Sequence, residues 1–217
     1  MYGYDVIRDF FIKGGPVLWP LVACSLVSLT ITIERMLFWW RAERCNRRGA
    51  AALEDLFEHT EQGRFEQALD IGRSQDTAIL RVLTAGLKHR NYGLAENMEI
   101  AANDEIARMK HGLSALDTII TMAPLLGILG TVFGIIRSFH VLGMDDIQSS
   151  AAVTRGVAES LINTAAGITV ALLTLVPFNA FVSKVQRETR RLEQTIAQFE
   201  TAYRKGTDHA AGDRLRV

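Results

Sequence analysis

The sequence predicts an all-α polytopic membrane protein with three transmembrane helices, two of which extend into a cytoplasmic helical domain. Three observations carry that reading. No charged residue falls between Pro16 and Ile33, between Thr118 and Ile136, or between Ser160 and Ser183. A bilayer core needs about 20 mostly apolar residues at ~1.5 Å rise each, and all three runs reach or approach that length. The charged segments between and after the runs repeat apolar residues every three to four positions, as amphipathic helices do.

The 24 basic and 24 acidic side chains cancel, so no basic surplus points to nucleic acid. The first run lacks a basic leader and a small-residue cleavage site and ends in ERMLFWWR, which reads as an anchor rather than a cleaved signal. Arg41, Arg44, Arg47 and Arg48 follow it, and Lys184, Arg187, Arg190 and Arg191 follow the third run. The connection between runs two and three holds Asp145, Asp146 and a single arginine. Positive residues favour the cytoplasmic side. Residues 1–15 are then an outer-face segment, 16–40 the first span and 41–114 a cytoplasmic helical domain. Span two covers 115–141, a short outer-face connection 142–155 and span three 156–183. A cytoplasmic helix extension follows over 184–205, and 206–217 is a polar tail expected to be disordered. The segments LAENMEIAANDEIARMKHGLSAL and VQRETRRLEQTIAQFETAY are expected to continue spans two and three out of the membrane. Cys45 lies in the cytoplasmic part, so no disulfide with Cys24 is expected. The basic groups at Arg41, Arg44, Arg47, Arg48, Lys184 and Arg187 read as anchors beside anionic lipid headgroups.

The spans have unlike faces. At 100° per residue, Ala123, Pro124, Gly127, Gly130, Thr131, Gly134 and Ser138 share an arc of about 120°. Glycine costs roughly 1 kcal/mol against alanine inside a helix, so the stripe needs a return, and close helix approach in lipid is one. In span three Glu159, Ser160, Asn163, Thr164, Gly167, Ala171 and Thr174 share a face, while Pro177 is expected to bend the cytoplasmic end. Thr169 lies on the oily side, where its hydroxyl can bond its own helix. Counted from the outer connection, Thr131 and Thr164 both lie ~15 Å deep. Glu159 is roughly 7 Å nearer the outside. An ionisable group inside a span normally faces a bundle interior or a wet cavity. The alternative for Glu159 is a helix-start carboxylate near the headgroups, beside Arg155. The alternative for both threonines is a bond to their own backbone.

Catalytic signatures are missing. No G-x-S-x-G, H-E-x-x-H or P-loop occurs, and His59, His89, His111, His140 and His209 are scattered without metal-ligand spacing. Neither an enzyme nor a bound metal or other cofactor is expected.

The stretches APLLGILGTVFGIIRSF and VAESLINTAAGITVALLTLVPFNAF resemble the two pore helices of the ExbB/TolQ/MotA proton-channel family, nearest its ExbB/TolQ branch. Its patterns look like AP-x-x-GLLGTV-x-G and EAL-x-x-TA-x-G. The resemblance implies a homo-oligomeric ring, usually a pentamer, in the bacterial inner membrane, with a periplasmic N-terminus and a cytoplasmic C-terminus. Inside it would sit an ExbD/TolR-like single-span partner with a protonatable aspartate. Proton flow would then drive a TonB- or TolA-like periplasmic protein. By the same resemblance Thr131, Thr164 and Glu159 fall on the proton pathway, with Asn163 and Thr174 beside them. Gly127, Gly130, Gly134, Ser138, Gly167, Ala171, Pro124 and Pro177 would pack against subunits or the partner helix. Asn163 and Ser160 depart from the family pattern, where small residues such as alanine are common. The alternatives are a non-conducting helical scaffold and a sodium-driven relative.

Overall fold

The computed structural model describes residues 16–142 and 150–214; the side chains of 140–155, of Glu159 and of 212–214 lie outside the described set. The predicted segment 1–15, half of the outer connection (143–149) and the end of the tail therefore fall outside it. Among the described residues the chain is helical, without strands. Its α-helices are α1 (Leu18–Arg48), α2 (Ala50–Glu61), α3 (Phe65–Ser74), α4 (Ala78–Lys88), α5 (Leu94–Lys110), α6 (Leu113–Leu142) and α7 (Ser150–Arg214). Three helical stretches are long and apolar enough to cross a membrane, as the charge-free runs predict.

The chain divides into two compact units, residues 1–35 with 112–181 and residues 36–111 with 182–217. In the first, Leu21 of α1, Ala123 of α6 and Ala171 of α7 form a small buried cluster, with Leu126 and Val170 packed on it. Outward-facing Leu125, Ile128, Leu129, Val132, Phe133 and Ile136 of α6 leave a broad apolar face exposed, as do Leu161, Leu172, Leu173 and Val176 of α7. A polypeptide with that much exposed hydrocarbon is stable where the solvent is lipid. Thr169 sits on this face and donates to Ala165 O at 2.7 Å, so its hydroxyl is satisfied within the helix.

The second unit has a different core. Leu56 of α2, Leu80, Leu83 and Leu87 of α4, Met98 of α5 and Phe199 of α7 are fully buried. The α4 start is capped by Thr77, whose Oγ1 accepts from the Leu80 N–H at 3.2 Å. Phe57 meets Phe199 edge to face at 5.3 Å between centroids. Arg81 of α4 makes a two-pronged contact with Glu105 of α5, at 2.8 and 2.7 Å, and also bonds Asp76. These bonds, Glu105's first, hold the Arg81 guanidinium above its already high ordinary pKa. Glu105 is 8 % exposed at its side chain, and removing Arg81 takes away its two-pronged partner and leaves this nearly buried carboxylate with Arg108, at 3.1 Å. Arg81→Met should therefore destabilise this unit by about 1–3 kcal/mol, read as a lowered thermal midpoint in detergent. A midpoint equal to the parent's would mean that Arg108, already 3.1 Å from Glu105, or water replaces the Arg81 guanidinium at no loss.

Two boundaries differ from the sequence reading. Gly112 has φ +76° and ends the run begun in α5, so α6 starts afresh at Leu113 instead of continuing it without interruption. L-residues with a side chain rarely adopt that backbone conformation, which is why glycine stands there. The expected disordered tail from 206 is also revised, because α7 runs on to Arg214. Gly206 is the reason. It lies so close to Thr60 O of α2 that a methyl group there would overlap it, with Gly63 N 3.3 Å from the same point. A glycine that looks like a helix end in sequence is here a helix contact. Lys205 supports it by reaching Glu61 at 3.2 Å.

Candidate membrane site

The two helices that carry the small-residue stripes pack against each other within one chain. Their contact residues recur at intervals of three and four: Ala123, Gly127, Gly130, Gly134 and Ser138 on α6, and Gly156, Ser160, Asn163 and Gly167 on α7. A methyl group at Gly127 would sit 2.9 Å from Asn163 O and 3.0 Å from Thr164 Cα; one at Gly134 would sit 2.5 Å from Ser160 Cβ. At Gly167 it would overlap the Ala123 carbonyl oxygen and lie 3.1 Å from Gly127 Cα. The backbones approach so closely that only hydrogen fits at these positions, which is the return for glycine's poor helix propensity. Gly156 and Ser160 complete the α7 ladder and were not among the packing residues drawn from the family pattern. Their spacing to Asn163 and Gly167 was the available signal.

The polar groups of this seam divide by their partners. Thr164 Oγ1 donates across it to Gly127 O on α6 at 3.1 Å. Thr131 Oγ1 instead donates to Ile128 O of its own helix at 2.6 Å. Both threonines are half-buried. Ser138 donates to Gly134 O, Ser160 to Val157 O and Thr174 to Val170 O, and all three are buried. Asn163 is 4 % exposed, and no protein donor reaches its Oδ1. Ala171 lies in the buried cluster with Leu21, and Pro124 and Pro177 sit inside α6 and α7 without ending them. The side chain of Glu159 lies outside the described residues. Among the described residues no group of histidine, cysteine, aspartate and glutamate could hold a metal.

Residues 74–194, which include the whole seam, match the MotA/TolQ/ExbB proton channel family. The chain belongs to this family. ExbB-like 1 of Synechocystis sp. is 39 % identical over 212 residues, covering 92 % of this chain and 80 % of that protein. The Tol-Pal system protein TolQ of Pseudomonas aeruginosa is 27 % identical, with 88 % and 86 % covered. The biopolymer transport protein ExbB of Neisseria gonorrhoeae is 28 % identical, with 88 % and 91 % covered. Membership makes the protein an ExbB/TolQ-type, multi-pass membrane transport component, and the match extends well beyond the α6–α7 pair.

The predicted anchors gather in the second unit. Arg41, Arg44, Arg47, Arg48 and Arg187 are exposed. Arg44 lies over the Trp40 ring at 3.7 Å. Arg47 reaches Glu43 at 3.5 Å. Lys184 bonds the same glutamate at 3.1 Å and stands 5.3 Å from the Trp39 ring centre. Aromatic rings beside long cationic side chains suit a membrane–water boundary.

Proposed function

We propose that the protein is the proton-conducting ring subunit of an inner-membrane motor, with a transport rather than an enzymatic role. Identical chains, five in number, surround single-span helices of an ExbD/TolR-like partner that brings a protonatable aspartate. The N-terminus and the 142–155 connection face the periplasm, the C-terminus faces the cytoplasm, and the work is delivered to a TonB- or TolA-like protein. The single observation that carries the reading is the pair of half-buried hydroxyls, Thr131 and Thr164, on a family-matched helix pair. Threonine gives and accepts hydrogen bonds but does not titrate near neutral pH, so the proton-binding group must come from a partner. Glu159, closer to the outside, supplies a carboxylate at the mouth of the path. Each proton moving down 100 mV releases ~2.3 kcal/mol, enough to bias a conformational step. The exposed apolar face of α6 and α7 provides the subunit and partner contacts, while the glycines are engaged in the seam within the chain. Arg41, Arg44, Arg47, Arg48, Lys184 and Arg187 hold the cytoplasmic side at anionic lipid.

The test is the intact mass of the complex after gentle extraction from its native membrane. A ring of identical chains holding a sub-stoichiometric single-span protein is the expected result. A homo-oligomer with nothing inside, under several mild extractions, would leave a passive scaffold. Flux from the same complex, measured with a proton gradient and then with a sodium gradient, decides the ion; protons are expected.

A further inference from the structure

The buried carboxamide of Asn163 has no counterpart in the packing logic of the seam. A well-packed pair of small-residue helices in lipid gains nothing from a polar side chain that it leaves unsatisfied, and a stranded acceptor costs about 1–3 kcal/mol. Every hydroxyl near it is already engaged as a donor: Ser160 one turn earlier on Val157 O, Thr164 next to it on Gly127 O. None has a second proton to give. Across the seam lies Gly130, where a methyl group would be 2.7 Å from Asn163 Cβ and 3.0 Å from Cγ and Nδ2. The facing helix thus offers the carboxamide a bare backbone and no donor side chain.

We propose that Asn163 makes the α6–α7 seam a hydration gate. With the helices in contact the acceptor is buried and no protein donor reaches it. A small separation lets in a water that donates one proton to Asn163 Oδ1 and the other to a lone pair of the Ser160 or Thr164 hydroxyl. The unpaired acceptor raises the free energy of the closed seam relative to the open one, so the sequence itself favours intermittent wetting at the depth of Thr164. The glycine ladder keeps such a separation small, because α6 offers bare backbone at Gly127, Gly130 and Gly134 and has no side chain of its own to withdraw there. That this water lies on the ion path rests on the proposed function; the wetting itself does not.

The full chain, labelled with nitrogen-15 asparagine and leucine and held in lipid bilayers with whatever co-purifies, allows a direct test by water-edited solid-state NMR. The Asn163 side-chain signal is assigned by its loss in Asn163→Leu, which keeps the shape and removes the acceptor. Transfer from water to that side chain several-fold faster than to backbone amides buried in α6 is expected. Transfer as slow as to those amides would overturn the proposal. Asn163→Leu should also melt no lower than the parent, since an apolar group of the same shape relieves a stranded acceptor. A melting point lowered by several degrees would mean that the carboxamide is a satisfied packing group, and would equally overturn it. In flux measurements Asn163→Leu should fall at least tenfold with the complex intact. If the parent complex carries no flux while Asn163 exchanges with water, the motor reading fails and the gate stands.

Discussion

Thr164→Val is expected to cut proton-driven flux at least tenfold while leaving the complex assembled. The substitution keeps the shape and removes the one side-chain hydroxyl that, among the described residues, bonds across the α6–α7 seam, Thr164 Oγ1 to Gly127 O. Its structural penalty is small, because a hydrogen bond between membrane helices contributes only about 0.6–2 kcal/mol. Gly127 O lies inside α6, where its helical partner remains available, so no acceptor is stranded. What the variant lacks is a group able to solvate a passing proton or a partner's carboxyl in the low-dielectric interior, where such a group matters most. Flux through proteoliposomes containing the complex is the measurement, and Thr164→Ser, which retains a hydroxyl, should recover most of it. Parent-level flux from the valine variant would reduce Thr164 to helix glue.

Gly167→Ala is expected to have the largest structural effect for the smallest chemical change. The new methyl group would overlap the Ala123 carbonyl oxygen and press on Gly127 Cα, and both are backbone. Side chains can rotate away from a clash; a helix backbone moves only with its helix. The two helices must part, which weakens the Thr164–Gly127 bond as well and costs about 1–3 kcal/mol or more. A lowered melting point and loss of assembled complex on size exclusion would show it. Gly134→Ala makes an informative contrast, because its clash is with Ser160 Cβ. Adding Ser160→Gly removes that atom, so the double variant should recover most of the lost stability. No single side-chain change rescues Gly167→Ala. Equal rescue of both, or no loss in either, would show that the seam is looser than its geometry.

Much of this was readable from one helix at a time. Charge-free runs of bilayer length predict spans because the bilayer interior penalises charge at every depth, and that penalty is a property of each residue. Helical periodicity separates the oily face of α6 from its small face, and Leu125, Ile128, Leu129, Val132, Phe133 and Ile136 are indeed exposed. The back-bonded hydroxyl of Thr169 needs only its own preceding turn. The three spans, their faces and the family motif were all determined by the sequence itself, since each depends on contacts within a few residues or on lipid as solvent.

The tertiary structure decided what those faces touch. The small-residue stripe of α6 meets the Gly156–Ser160–Asn163–Gly167 ladder of its own chain, pairing residues from Ser138 and Gly156 to Ala123 and Gly167 that lie far apart in sequence. Periodicity gives the direction in which a side chain points but not the element it meets, nor the register in which two ladders interlock. That register sets Asn163 over Gly130 with an unpaired oxygen, and Thr164 opposite the Gly127 carbonyl. For the same reason Gly206, which reads as a stop, continues a helix because Thr60 lies against it, whereas Gly112 interrupts one by its positive φ. Identical residues have opposite effects there because a missing side chain permits both a close approach and a left-handed turn, and only the neighbouring helix selects between them.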